Sequence, residues 1–304
     1  MPLEHLLSSL GEDIDDPEEE TFLLFSQQFS SQDLGFVDAR ATSLEINVCG
    51  RDLNIRQSPT LLSSNREGGT TGAVVWKITP LFAQWITLDS NVLFRSSVLD
   101  ESSVVLELGS GISGIIAITL VRRVGRYVVT DQEYVFKLLK ANIDRNSLSA
   151  KGPGSNFAKH HGKASITNAS AWARSKIGVL ALDWEQSLVS SLPATMGTDS
   201  ADVSQAIDAV VACDCIYNES LINPFVRTCA DICQLVNSSS AEKPTLCVIA
   251  QQLRSDMIFE AWLKAFHKVF KVWRIPDDLL IDGLKEGSGF VVHVGILRKG
   301  AQCY

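Results

Sequence analysis

The sequence predicts an α/β fold built on a seven-stranded, mostly parallel sheet with helices on both faces. Three observations predict it: a glycine-rich turn between an apolar run and a helical pattern, the alternation of strand and helix patterns that follows, and a final pair of strands joined only by a loop. Alternating β and α units imply a parallel sheet covered on both faces, whereas a loop-connected pair implies antiparallel strands at the end.

The composition allows a sizeable core and limits the partners. The 304 residues are 45% hydrophobic and 20% charged, with a formal net charge of −8. This acidity argues against direct nucleic-acid binding and suits a cationic ligand or a basic protein partner. The apolar runs are too short to span a membrane, the start lacks a secretory pattern, and the odd count of seven cysteines indicates reduced thiols. We therefore expect a cytoplasmic protein with no membrane partner, acting as a monomer.

Residues 1–69 are predicted to be an N-terminal extension and residues 70–304 the main domain. Within the extension, the acidic segment 12–20 is expected to be a solvated, partly disordered arm. Segments 44–48 and 53–55 alternate apolar and polar residues around a glycine, which predicts a β-hairpin. The glycine-rich residues 68–72 predict a flexible junction.

The main domain is predicted from alternating patterns. Strands are expected at 104–108, 127–131, 178–184, 209–214, 245–250, 270–274 and 290–297, and helices at 80–86, after Gly114, and through 135–143, 225–232 and 259–266. Residues 151–175 predict an inserted excursion and residues 194–204 a polar loop.

The glycine-rich turn admits two ligands. Gly109, Gly111 and Gly114 fit the G-x-G-x-x-G pattern, and Asp131 follows at the distance typical of an acid that binds ribose hydroxyls. On those facts a nicotinamide-dependent oxidoreductase is an alternative. Glu107 disfavours it, because a carboxylate beside a pyrophosphate is repelled. S-adenosylmethionine (AdoMet) has no phosphate and carries a sulfonium and an ammonium, so the acidic neighbour favours AdoMet.

Three predicted strand ends carry side chains suited to that ligand. In open α/β sheets ligands bind beyond the carboxyl ends of the strands. There Asp131 can accept from ribose hydroxyls, Trp184 can flank the adenine, and Asp214 lies on the strand that faces the reacting group. Each has a structural alternative: Asp131 as a helix cap, Trp184 as a core aromatic and Glu107 as the partner of a surface lysine.

A zinc site is a weaker hypothesis. Cys213 and Cys215 flank Asp214, and Cys229 and Cys233 are one helical turn apart. That spacing favours structural burial, so no metal is expected. His293 alternates with valines and is expected to be structural.

Five segments in order carry a resemblance to a known family. They are residues 71–76, 107–111, 129–131, 182–184 and 214–219, the last with an Asp-x-x-Tyr motif. Together they resemble the Rossmann-like class I, seven-β-strand AdoMet-dependent methyltransferases of the protein-lysine type, and among these the fungal ribosomal lysine N-methyltransferases. The likeness covers about residues 70–297.

The resemblance implies both a cofactor pocket and an acceptor site. The implied cofactor-binding residues are Trp76, Gly109, Ser110, Gly111, Asp131, Trp184 and Ala212, and the charge argument above adds Glu107 to them. Asp214 and Tyr217 are implied to face the acceptor lysine. The implied substrate is a large-subunit ribosomal protein, by likeness to an enzyme that acts on ribosomal protein L1. A non-catalytic AdoMet-fold binding module is the second alternative, and the intact Asp214 and Tyr217 argue against it.

Overall fold

The computed structural model describes residues 1–29, 35–64, 69–147, 176–187, 189, 192, 207–237 and 243–300. A seven-stranded sheet has the order β5-β4-β3-β6-β7-β9-β8. Its strands are β3 (Val104–Leu108), β4 (Arg126–Asp131), β5 (Ile177–Ala181), β6 (Ala209–Cys213), β7 (Leu246–Gln252), β8 (Phe270–Arg274) and β9 (Phe290–Leu297). Strands β3 to β7 are parallel, while β9 runs antiparallel to both β7 and β8. The predicted fold class, including the terminal antiparallel pair, is confirmed.

The sheet separates two hydrophobic clusters because successive side chains of a strand point to opposite faces. In β3, Val105 belongs to one cluster and Leu106 to the other, and every residue of this strand is buried. Burial on both faces explains why the strand has a continuous apolar pattern rather than an alternating one.

Helices cover both faces. The helices are α1 (Pro2–Leu10), α2 (Pro17–Phe25), α3 (Pro59–Leu62), α4 (Ile78–Thr87), α5 (Val92–Arg95), α6 (Ile115–Leu120), α7 (Phe136–Ser147), α8 (Ile222–Asn237) and α9 (Asp256–Val269). Helices α4, α6 and α7 contribute to the first cluster, and α2, α8 and α9 to the second. None of the helices in the described ranges is long and apolar enough to cross a membrane.

The predicted N-terminal hairpin is present as β1 (Ser43–Val48) and β2 (Arg51–Arg56). Cys49 and Gly50, with φ of 51° and 75°, form its two-residue turn, in which both positions are left-handed. Two asparagines of α7 bind the hairpin to this helix through hydrogen bonds. The backbone N–H of Asn54 donates to Asn146 Oδ1 at 2.8 Å, and that of Arg56 donates to Asn142 Oδ1 at 2.9 Å.

The expectation of a partly disordered acidic arm is wrong. Helix α2 begins inside that segment, where the Asp16 side chain caps it by accepting from the backbone N–H of Glu18 at 2.8 Å. Acidic residues in the first turn favour a helix because they complement its dipole, so the charge run is a helix-start signal. Glu20 is buried, and its Oε1 lies 3.5 Å from Nε2 of the fully buried His293.

Two further predictions, the excursion at 151–175 and the polar loop at 194–204, lie outside the described residues. The division of the chain at residue 69 stays a prediction.

Candidate active site

A cavity of about 390 Å³ opens at the carboxyl ends of β3, β4, β5 and β6. This volume is in the range of small-molecule sites. Nine of the ten residues predicted from the sequence line it: Trp76, Glu107, Gly109, Ser110, Gly111, Asp131, Trp184, Asp214 and Tyr217. Residues that are 141 positions apart in the chain, such as Trp76 and Tyr217, therefore share one cavity.

Ala212 is the exception. It is 1% exposed within β6 and belongs to the hydrophobic cluster of α8 and α9. Its neighbour Cys213 lines the cavity instead, because adjacent side chains of a strand point to opposite faces.

Gly109 follows β3 directly with φ of 66°. A Cβ atom there would lie 2.7 Å from Cys215 Sγ and 3.2 Å from Cζ2 of the Trp184 ring. Glycine is required at this position both by the left-handed backbone and by the close approach of the Cys215 sulfur and the Trp184 ring. Trp184 thus lies against the glycine-rich turn, and its other neighbour is the Phe225 ring, 5.1 Å away between centroids.

The predicted flexible junction, of which residues 69–72 are described, packs against the same glycine-rich turn. The backbone N–H of Ile112 donates to the carbonyl of Gly72 at 2.9 Å, and a Cβ at Gly111 would lie 3.1 Å from that carbonyl oxygen. Within the described part of the junction, Thr71–Ala73 forms a 3-10 turn. The glycines here allow a close backbone contact that builds one wall of the cavity, so a loose linker is the wrong description for residues 69–72.

Asp131 ends β4 and is held by two backbone donors. The N–H of Gly111 donates to Oδ2 at 2.8 Å, and that of Gln132 donates to Oδ1 at 2.7 Å. Burial raises the pKa of Asp131 to about 6, although these two hydrogen bonds act in the opposite direction. Each carboxylate oxygen retains a lone pair for a hydroxyl donor in the cavity. Asp131 therefore fixes the glycine-rich turn while remaining able to accept from a ligand.

Glu107 is buried in the cavity wall, where the Tyr127 hydroxyl donates to its Oε2 at 2.9 Å. Burial raises the pKa of Glu107 to about 8, and the Tyr127 hydrogen bond only partly counteracts that effect. At neutral pH most of this carboxyl is protonated. A cationic ligand would favour the ionised form, so the charge of Glu107 is coupled to the arrival of that ligand.

The cavity fits AdoMet on its own chemistry. Ser110 Oγ is buried and has no hydrogen-bond partner in the described structure, so it is free to serve a polar ligand atom. Asp131 accepts hydroxyl donors, Trp184 offers an aromatic face, and Glu107 responds to positive charge. These groups match a ribose, an adenine and a cationic amino-acid moiety respectively.

Asp214, at the end of β6, is strongly constrained. Its φ is 60°, and its backbone N–H donates to the Ala250 carbonyl at 2.8 Å. Both carboxylate oxygens accept from Arg254, with Nη1–Oδ1 at 2.8 Å and Nη2–Oδ2 at 2.6 Å. Arg254 was missed by the sequence analysis. The only signal was its position two residues after β7, another strand end beside the cavity.

Two aromatic residues complete the rim. Tyr217 is 37% exposed and contributes to the main cavity and to a small depression beside it, lined also by Arg254. The Trp76 indole N–H donates to the Thr71 carbonyl at 3.1 Å, which fixes the ring at the cavity edge. Tyr217 therefore borders both the main cavity, which Asp214 and Trp76 line, and the depression that Arg254 lines.

Of the four cysteines weighed as a zinc set, Cys215, Cys229 and Cys233 are buried as expected, whereas Cys213 is only partly buried. Cys213 and Cys215 lie at the cavity, whereas Cys233 and Cys247 contact each other in the core with sulfur atoms 3.7 Å apart. In the part of the chain that is described, no three His, Cys, Asp or Glu side chains are grouped to hold a metal ion.

Comparisons with known proteins point to one family. A family model described as lysine methyltransferase matches residues 55–153. "Ribosomal lysine N-methyltransferase 5" of Zygosaccharomyces rouxii is 33% identical over 229 residues, covering 70% of this chain and 70% of the relative. The protein of the same name in Vanderwaltozyma polyspora is 29% identical over 313 residues, covering 90% and 94%. A Schizosaccharomyces pombe protein named "Diaminohydroxyphosphoribosylamino-pyrimidine deaminase" is 28% identical over 85% of this chain, which spans 53% of that protein.

Proposed function

Since this chain belongs to the family of AdoMet-dependent protein-lysine methyltransferases, we propose that it methylates a lysine of a large-subunit ribosomal protein, with ribosomal protein L1 as the first candidate. The relatives that carry the name ribosomal lysine N-methyltransferase 5 support this substrate class. The net charge of −8 also suits a basic target, because opposite charges steer association.

One observation carries the proposal: the same cavity brings the glycine-rich turn together with Asp214 and Tyr217. In this assignment Asp131 accepts from the ribose hydroxyls, Trp184 flanks the adenine, Ser110 and Gly111 line the turn, and Trp76 and Glu107 border the cationic end. AdoMet supplies an activated methyl group on a sulfonium. The protein must therefore align an amine with that group and admit it without its extra proton.

Alignment accounts for most of the catalytic work. Fixing two reactants within attack distance can contribute on the order of 7 kcal/mol or more. Asp214 and Tyr217 perform this role at the rim, with Asp214 held rigidly by Arg254. Because both oxygens of Asp214 already accept from a guanidinium, its role is to position the acceptor rather than to capture a lone ammonium.

The two alternatives differ in their expected ligands. A non-catalytic binding module would bind AdoMet and label nothing, whereas an oxidoreductase would bind NAD. The argument from Glu107 against a dinucleotide is weaker in the structure, because this carboxyl is largely protonated near neutral pH. The choice of AdoMet over NAD therefore rests on the family membership.

The decisive experiment incubates the protein with tritiated AdoMet and recombinant large-subunit ribosomal proteins, followed by mass spectrometry of the labelled band. We expect a methylated lysine in one ribosomal protein. Titration calorimetry should detect AdoMet binding and no NAD binding. Binding of AdoMet without transfer to any ribosomal protein would contradict the proposed substrate class.

The Asp214→Ala variant should lose at least about 100-fold in methyl incorporation, because the acceptor is no longer aligned. Its AdoMet affinity should remain nearly unchanged, as measured by calorimetry. Asp214→Asn preserves the side-chain volume and tests the carboxylate itself. Asp52→Ala, in the exposed part of β2, is the control and should keep full activity. Wild-type turnover by Asp214→Ala would refute the assignment.

Three further expectations belong to this proposal. We expect the enzyme in the cytoplasm, where ribosomal proteins are synthesised. We also expect a monomer, and the acidic charge predicts no nucleic-acid affinity, since binding phosphates requires a basic surface. Size-exclusion chromatography with light scattering and a salt-dependent RNA-binding assay would test the last two.

A further inference from the structure

Arg254 connects three parts of the rim. Its guanidinium forms a two-point ion pair with Asp214, at 2.8 and 2.6 Å, and Nη2 also donates to Gln252 Oε1 at 2.8 Å. The guanidinium carbon lies 4.8 Å from the centroid of the Trp76 ring, within the distance of a cation–π contact. One side chain thus links the residue after β6, the end of β7 and the aromatic wall of the cavity.

The pair is buried on the Asp214 side. The Asp214 side chain is 2% exposed and that of Arg254 is 23% exposed. The backbone N–H of Gln252 also donates to Asp214 Oδ1 at 3.3 Å. A carboxylate so enclosed requires a compensating charge, and a planar guanidinium matches it in a way that a lysine ammonium does not.

The other titratable groups near Asp214 do not replace that compensation. Cys213 and Cys215 flank it, and burial raises the pKa of both thiols well above the ordinary value, so they stay neutral. Tyr217 is neutral for the same reason. Glu107 and Asp131, which also line the cavity, carry carboxyl groups and cannot supply a positive charge. Arg254 therefore supplies the positive charge that faces Asp214 within the described site.

We propose that Arg254, which lies over the Trp76 ring, is a positioning residue of the acceptor site: it holds the Asp214 carboxylate in place and cancels its charge, so that the acceptor lysine enters as the neutral amine. This inference rests on the proposed function. An isolated carboxylate would stabilise the ammonium form of the acceptor and raise its pKa. The ammonium has no lone pair for methyl transfer. A carboxylate that is paired with Arg254 still offers fixed oxygen atoms to the acceptor, but it does not raise the pKa of the acceptor amine.

The Arg254→Gln variant tests this role through its pH profile. It should lower kcat about 10-fold or more, because the carboxylate is no longer fixed. The pH at which the rate reaches half its maximum should rise by about 1 unit or more, because Asp214 is now uncompensated. The Kd for AdoMet, measured by calorimetry, should remain within about 2-fold, because Arg254 does not line the main cavity.

The Arg254→Lys variant separates charge from geometry. It keeps one positive charge but not the two-point pairing, so the pH profile should stay at the wild-type position while kcat remains low. Arg274→Gln is the matched control. Arg274 Nε lies 3.5 Å from a carboxylate oxygen of Glu20, in an arginine–carboxylate pair outside the cavity, and its loss should leave both kcat and the pH profile unchanged.

The outcomes distinguish a failure of the proposed function from a failure of the role proposed for Arg254. Absence of labelling by the wild-type protein would refute the proposed function itself. Labelling by the wild type with an unshifted pH profile in Arg254→Gln would refute the role of Arg254 in charge cancellation. If Arg254→Gln does not fold, as judged by its thermal unfolding midpoint, Arg254→Lys decides the matter, and a wild-type kcat in that variant overturns the inference.

Discussion

Glu107 shows how a single carboxyl can respond to a cofactor. Burial raises its pKa to about 8 from an ordinary value of 4.5. The folded protein therefore holds a proton that the unfolded chain would release between these two values. Stability contributed by the neutral carboxyl is fully present below pH 4.5 and decreases as the pH rises towards 8. A bound cation reverses this preference because it favours the ionised form.

We accordingly predict that AdoMet affinity increases with pH between 6 and about 8, as Glu107 loses its proton. Glu107→Gln should have weaker affinity with a much flatter pH dependence over the same range. Titration calorimetry in two buffers of different ionisation enthalpy would also detect the proton released on binding by the wild type. Glu101→Gln, at an exposed position, is the control. A flat affinity profile in the wild type would disprove the coupling.

At the scale of elements, α2 is an integral part of the core. It packs against α9, and its Leu24 is 4% exposed within the second hydrophobic cluster, whereas the adjacent Leu23 is 46% exposed. Glu20 adds a polar contact to His293 and Arg274. Burial alone would raise the pKa of Glu20, but these two partners outweigh it and keep its pKa below the ordinary value. The contribution of this contact is therefore present near neutral pH and is lost in acid.

The neighbouring leucines provide a matched test of α2. Leu24→Ala should lower the free energy of unfolding by about 2–5 kcal/mol, because it opens a cavity in the core. Leu23→Ala should change it by no more than about 0.5 kcal/mol, since that side chain faces solvent. Urea denaturation followed by circular dichroism measures both. Equal effects of the two substitutions would mean that α2 is not packed as described.

At the scale of the whole molecule, the N-terminal extension and the main domain share a core. Val48 and Ile55 of the hairpin belong to the same hydrophobic cluster as Val105 of the central strand β3. Arg51 also donates to the Ile118 and Asn146 carbonyls, at 2.9 and 3.2 Å. Removing the extension would expose this apolar surface and leave buried acceptors without donors.

A chain consisting of residues 70–304 should therefore not give a cooperative thermal transition and should not bind AdoMet. Differential scanning calorimetry and AdoMet titration, each with the full chain as reference, would measure this. A truncated protein with the transition and the affinity of the full chain would show that the extension is dispensable.

The sequence was most informative where structure is local. Strand β3, the glycine-rich turn and Asp131 are adjacent or regularly spaced, so an apolar run that ends in glycines and an acid predicted them. The pairing of Asp214 with Arg254 joins residues 40 positions apart and has no periodic signature. Helix α2 was missed because its acidic first turn has the composition of a disordered segment, while the buried Leu24 and Glu20 depend on α9 and β9 for their partners.

The position of β9 has a consequence for synthesis of the protein. This strand lies between β7 and β8, although it follows both in the chain. Until residues 290–297 leave the ribosome, one edge of β7 is bare and β8 has no strand to join. Exposed edges of this kind pair readily with other chains. A translation stop just before Phe290 would therefore produce an aggregation-prone polypeptide, even though all the described residues that line the cavity have already been made.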